Sequence, residues 1–188
     1  NEATYRTLER IYRQDNRFDE LVDVIGRHIN AITDVHERID LYMAMGQVYE
    51  QSIQDPDRAI EAYSDILSFD ADHVHALDAL ARLYEQISAW DRAVEMMSRV
   101  VQLVDDPSYR VGVHFRLGRI YEEQLGEPDT GEEQFQHALS IDPSHLPSMM
   151  RLVELYNLRG DWAKAATMMV RAEAFTQVPM EKSKLLYE

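Results

Sequence analysis

Along this chain apolar residues recur three and four positions apart, and the runs they form are broken at short polar intervals. Leu77, Leu80, Leu83, Tyr84 and Ile87 make one such stripe, and Ala93, Val94, Met97, Val100, Val101 and Val104 make the next. This is the spacing of one helix face, and no run alternates with the period of two that marks a strand. Breaks at Asp15-Asn16, Asp55-Pro56, Ser88-Ala89, Gly126-Glu127-Pro128 and Gly160-Asp161 divide helices within pairs. Longer breaks at Thr33-Asp34 and Asp105-Asp106-Pro107 separate one pair from the next. Pro56, Pro107, Pro128, Pro143 and Pro179 fall at breaks or in first helical turns, where the missing N–H costs nothing. The pattern predicts an all-α chain of five helical hairpins, followed by the start of an eleventh helix from about Met180 to Glu188.

The pattern also repeats. At a spacing of 72 residues, without gaps, Leu8, Leu80 and Leu152 align, as do Tyr12, Tyr84 and Tyr156. Phe18, Trp90 and Trp162 align in the same way, and so do Arg27, Arg99 and Arg171. Gly46 and Gly118, Tyr49 and Tyr121, Pro56 and Pro128, and Asp70 and Asp142 are paired at that spacing too. Each unit holds two hairpins, because the marker tyrosines Tyr12, Tyr49, Tyr84, Tyr121 and Tyr156 lie 37, 35, 37 and 35 residues apart. Such regularity marks a stacked array in which each unit buries its apolar face against its neighbours. The expected organisation is one array over 1–188, with units at 1–72 and 73–144 and a partial third at 145–188. The third stops inside an expected helix, which reads as a fragment of a longer protein.

Leu117-Gly118-Arg119-Ile120-Tyr121, followed by Phe135 and Leu139-Ser140-Ile141-Asp142-Pro143, resembles the tetratricopeptide repeat, a helix-turn-helix unit of ~34 residues. Met45-Gly46-Gln47-Val48-Tyr49 with Ala59 and Tyr63 resembles it nearly as well. So do Leu80-Ala81-Arg82-Leu83-Tyr84 with Ala93 and Met97, and Tyr156 with Ala165 and Met169. The first hairpin departs most, with Glu9 in the glycine position and Leu21 in place of the small alanine. The resemblance covers essentially the whole chain and implies a right-handed α-solenoid of antiparallel hairpins. Gly46, Gly118, Ala81, Ala59, Ala93 and Ala165 are then small because two helices approach closely, with an aromatic or methionine side chain filling the space opposite.

Composition narrows the function classes. With 188 residues, 45% of them apolar, the chain is long enough for a substantial core. The formal charge of −15 argues against binding nucleic-acid phosphates or anionic lipid. No apolar run reaches a membrane span and no signal-peptide pattern is present, so a soluble protein is expected, cytoplasmic in preference to periplasmic. The absence of cysteine excludes disulfides, thiolate metal sites and cysteine nucleophiles. There is no phosphate-cradling glycine loop, nucleophile elbow or His-Glu-x-x-His. The best metal candidate, Asp70-Ala71-Asp72-His73-Val74-His75, has its histidines two apart and reads as a loop entering a helix. Neither a catalytic residue nor a metal or other cofactor is expected.

What the resemblance implies about binding is more specific. In such repeats the first helix of each hairpin lines a concave face where peptides lie. Counting from the marker tyrosines puts Arg10, Gln47, Arg82, Arg119 and Glu154 on that line. Arg6, Met43, Asp78, Phe115 and Met150 fall one turn away, and Arg116 and Arg151 flank it. Arginine forks suit carboxylates, and Phe115, Met43 and Met150 suit apolar groups, so the expected partner is a protein or peptide segment with acidic and apolar side chains. The alternative is that Arg82 with Glu85 and Arg119 with Glu122 simply satisfy each other on the helix surface. The Lys and Asn pattern that clamps chaperone tails is missing: Arg6, Arg10, Ala44, His75 and Ala79 stand there. The acidic convex side, with Asp19, Glu20, Asp23, Glu61, Asp65, Glu95, Glu132 and Glu133, is expected to be solvated.

A non-enzymatic interaction scaffold is the leading expectation. The alternatives are a substrate-recruiting or regulatory arm of a larger enzyme, or an array that associates with itself end to end.

Overall fold

The computed structural model describes residues 2–185, with side chains as far as 175. Ten α-helices run in order: α1 (Glu2–Gln14), α2 (Phe18–Ala31), α3 (Val35–Gln47), α4 (Pro56–Phe69), α5 (Val74–Gln86), α6 (Trp90–Leu103), α7 (Pro107–Glu123), α8 (Pro128–Ile141), α9 (Leu146–Arg159) and α10 (Trp162–Leu185). A π-helical segment, Val48–Ile53, prolongs α3. The fold is an all-α solenoid of helix hairpins. Two compact units divide the chain, 1–100 and 101–188, so compaction does not follow the 72-residue sequence period.

Helix starts follow the sequence signals. Asp34, Asp55 and Asp106 accept hydrogen bonds from the backbone N–H groups of Glu37, Arg58 and Tyr109, and Pro56, Pro107 and Pro128 open their helices. The expected eleventh helix is not separate: α10 continues through Pro179 to Leu185, and residues 186–188 lie outside the described residues. In the 72-residue register Asp34 and Asp106, which cap α3 and α7, correspond to Val178.

The marker tyrosines identify where each first helix stops. Arg17, Ala89 and Asp161 donate their backbone N–H to the carbonyls of Tyr12, Tyr84 and Tyr156, at 2.8 Å each. Asp55 and Glu127 reach Tyr49 and Tyr121 in the same way, at 2.9 and 2.8 Å, across a turn one residue longer. The residue before each donor has positive φ: Asn16, Gln54, Ser88, Gly126 and Gly160. Hairpins of two kinds therefore alternate. Those with the longer turn start their first helix 14 residues before the tyrosine, at Val35 and Pro107, against 10 at Val74 and Leu146. These four extra residues, offset by one in the turn and one in the loop between hairpins, produce the 37/35 alternation of the tyrosines.

In unit 1, Leu21, Ile25 and Ile29 of α2 form a core with Leu41 and Val48. In unit 2, Phe135 and Leu139 of α8 pack with Met149, Leu152 and Tyr156 of α9 and Ala165 of α10. The small residues act as anticipated. A Cβ on Gly46 would lie 2.5 Å from the Tyr63 ring, and one on Gly118 would lie 2.5 Å from the Phe135 ring. Of the methionine pairs, Met149 is buried and Met150 exposed, whereas Met96 and Met97 are both buried.

The atypical first hairpin uses its departure from the pattern. Glu9, in the glycine position, places Oε1 2.7 Å from Nδ1 of His28, which is 1% exposed and stacked on Tyr5 at 4.9 Å. In the register His28 corresponds to Val100 and Ala172, and Glu9 corresponds to Ala81 and Val153, so a polar pair replaces an apolar one.

Candidate functional site

The first-helix line can be followed within each unit. In unit 1, Arg10, Gln47 and Arg82 are exposed, while Met43 and Asp78 are half-buried. Arg6 is exposed as well, and its guanidinium bridges Glu2 of its own helix at 2.8 Å and Glu37 of α3 at 2.7 Å. Arg82 on α5 lies 3.6 Å from Glu50 of the π-helical segment and 3.9 Å from Asp78. The second oxygen of Glu50 accepts the Tyr63 hydroxyl proton at 2.9 Å. Burial, reinforced by that carboxylate, pushes the Tyr63 phenol far up from its ordinary value.

In unit 2, Arg151 on α9 sits among three carboxylates: Glu122 at 2.8 Å, Glu123 at 2.8 Å and Glu154 at 2.9 Å. Arg119 reaches Glu123 at 2.9 Å, and this hydrogen bond holds the Glu123 carboxyl below its usual range. Met150 is 51% exposed. Phe115 turns toward its own hairpin, with its ring 5.8 Å from Phe135 and 5.4 Å from His145, and Arg116 is half-buried.

The expected residues thus lie at the surface, but the arginines do not stand alone. Glu50 and Glu122, one residue after marker tyrosines and 72 apart, each receive an arginine from the next first helix, Arg82 and Arg151. Sequence spacing pairs Arg82 with Glu85 and Arg119 with Glu122 on their own helices; the bridges between hairpins, Arg82 to Glu50 and Arg151 to Glu122, are not among those pairs. The regular recurrence of Glu after Tyr49 and Tyr121 was the available signal. Glu132 was expected to be solvated. It instead accepts the Tyr156 hydroxyl at 2.9 Å and pairs with Arg159, tying α8 to α9. Asp65 neighbours Tyr42 and, after burial, helps push its phenol up.

The candidate metal segment serves the backbone. His73 caps α5 by accepting the Ala76 N–H at 3.2 Å, and Asp70 accepts from Asp72 at 3.2 Å. Among the described residues no group of three or more His, Asp or Glu could hold a metal ion, and no helix is long and apolar enough to cross a membrane.

Comparison with known proteins agrees with this geometry. One family model, described as Tetratricopeptide repeat, matches residues 4–38 and 76–110, and a second of the same description matches 39–73 and 111–145. The two models alternate along the chain as the two kinds of hairpin do. No curated protein matches. Among solved structures, a MamA crystal structure is 18% identical with a TM-score of 0.68, covering 93% of this chain and 97% of that one. Another MamA structure is 20% identical with a TM-score of 0.68, covering 100% and 95%. A Podosopora anserina structure described as kinesin light chain with nearly identical TPR-like repeats is 20% identical with a TM-score of 0.62, covering 94% and 95%. At these identities the likeness is one of fold. Repeats of this kind are, as a class, protein-interaction modules rather than catalysts. The chain belongs to the tetratricopeptide repeat family.

Proposed function

We propose that this chain is a non-enzymatic docking module whose first-helix face binds a segment of a partner protein. One observation carries the reading. The position two before the marker tyrosine is exposed in all five hairpins, whereas the position three before it is buried at Gly46, Ala81, Gly118 and Val153. Within each unit packed positions thus support open ones, and the open ones are chemically varied: Arg10, Gln47 and Arg82 in unit 1, Arg119 and Glu154 in unit 2. Arg82 and Arg119 each keep about half of their side chains exposed, 52% in both cases, despite their carboxylate neighbours. They retain faces with which to receive an acidic group of the partner, while the half-buried Met43 and the exposed Met150 offer apolar contact.

Affinity capture with the immobilised chain, read by mass spectrometry, tests this against a variant carrying Arg82→Glu and Arg119→Glu. Circular dichroism should show the two equally folded. A partner retained by the natural chain is expected to fall at least tenfold with the variant; equal retention sinks the reading.

A second reading, self-association, has its own observation. Leu146, Met150, Val153, Met169 and Ala172, with Glu173 at the margin, line a cavity of about 360 Å³ between α9 and α10, and Met169 is 49% exposed. Light scattering over a concentration series is expected to show a mass that grows if this face joins copies. A constant monomer mass excludes it.

A further inference from the structure

His114 on α7 is 8% exposed, and its ring stacks on His137 of α8 with centroids 5.3 Å apart and planes inclined by 27°. Its Nδ1 lies 2.9 Å from the side-chain oxygen of Gln134. Arg110, one turn earlier on α7, has its Nε buried without a hydrogen-bond partner. The groups acting on the imidazole are therefore Gln134 and His137 from α8 and Arg110 from its own helix: a neutral amide, a second imidazole and a fixed cation. The 72-residue register supplies the contrast. Tyr42 and Asp65 occupy the corresponding positions in unit 1, where burial and then the neighbouring Asp65 push the Tyr42 phenol up. Unit 1 thus carries no imidazole at these positions, and imidazole is the side chain whose ordinary protonation range lies nearest neutral pH.

We propose that the stacked His114–His137 pair is a proton-sensitive clasp between α7 and α8, closed while His114 is neutral and loosened when it takes a proton. Burial, first, and then the neighbouring His137 and Arg110 hold the His114 imidazole below its ordinary value of 6.5. The open hairpin therefore binds the proton more readily than the closed one. The clasp's contribution is fully present above about pH 6.5 and is lost as the pH falls below that. With one proton of difference, the opening equilibrium rises by up to about tenfold per pH unit. Phe115, Arg116 and Arg119 follow His114 on the same helix, so loosening would also disturb the docking face. That consequence rests on the proposed function; the clasp itself does not.

Hydrogen exchange of the unliganded chain at pH 7.5 and 5.5, corrected for the intrinsic pH dependence of amide exchange, tests the clasp alone. Opening in 107–141 is expected to rise at least threefold, with a ceiling of about tenfold set by one proton and an open-state value of about 6.5, relative to 35–69, which serves as the internal reference. His114→Gln keeps a neutral hydrogen-bonding side chain and should reduce that difference to within about twofold. It also separates the clasp from His145, whose imidazole is likewise held low by burial. Parallel behaviour of the two segments, or an acid response that survives His114→Gln, overturns the proposal. Should the variant not fold, imidazole NMR titration of the natural chain decides. His114 must protonate below the ordinary imidazole value of about 6.5 and together with the onset of exchange; protonation at or above that value overturns it as well. Capture of a partner at the two pH values would then report on the docking face separately.

Discussion

Gly118→Ala is expected to lower the stability of unit 2 by about 1–3 kcal/mol, although alanine is the better helix former. The added methyl would lie 2.5 Å from Cε1 of Phe135, and the ring cannot step aside: it is fully buried and packed against Phe115. The backbones are close as well, since a Cβ on Gly131 of α8 would meet the Gly118 carbonyl oxygen at 2.9 Å. Gly112 provides the control on the same helix. It is exposed, nothing lies within 4 Å of its added Cβ, and Gly112→Ala should stabilise by about 0.5–1 kcal/mol. Adding Phe135→Leu to Gly118→Ala should recover part of the loss, because both changes act on one contact. Urea or thermal unfolding checks all three; a neutral Gly118→Ala would show that the contact is loose.

The second large effect concerns the buried pair of the first hairpin. Glu9→Ala should destabilise unit 1 by about 1–3 kcal/mol, because it leaves His28 Nδ1 without its acceptor in a site where Nε2 already has no partner. The register supplies the repair. Ala81 and Val100 occupy the same two positions one repeat later, so Glu9→Ala with His28→Val installs a combination that the molecule already uses. The double variant is expected to be clearly more stable than Glu9→Ala alone and near the natural chain, as apolar replacement of a buried polar pair often is. A double-mutant cycle measures the coupling; strict additivity would mean that the two side chains do not depend on each other.

Helices, hairpins and the glycine–aromatic contacts were legible in the sequence because each depends on local periodicity or on one small residue at a fixed place. The end of α10 was only half legible. Pro179 reads as a boundary, but α10 runs on through it, with Val178 in the register position where Asp34 and Asp106 cap their helices. The charge network was legible only in the recurrence of Glu after Tyr49 and Tyr121. Whether Arg151 meets Glu122 depends on how α9 is rotated against α7, and sequence spacing fixes neighbours on one helix, not across two. The Glu9–His28 pair was visible only as a mismatch with the repeat pattern, since its two members lie 19 residues apart on different helices.

The two alternating kinds of turn bear on how such a chain lengthens or shortens. Removing residues 73–144 would join Asp72 to His145 and so restore the Asp-His step of Asp72-His73; α4 would again be followed by a helix that begins after a histidine. Removing a single hairpin would instead put two of the same kind side by side, a junction found nowhere among residues 1–145. Duplication and deletion are therefore smooth only in even steps, and the heritable unit of this array is the pair of hairpins.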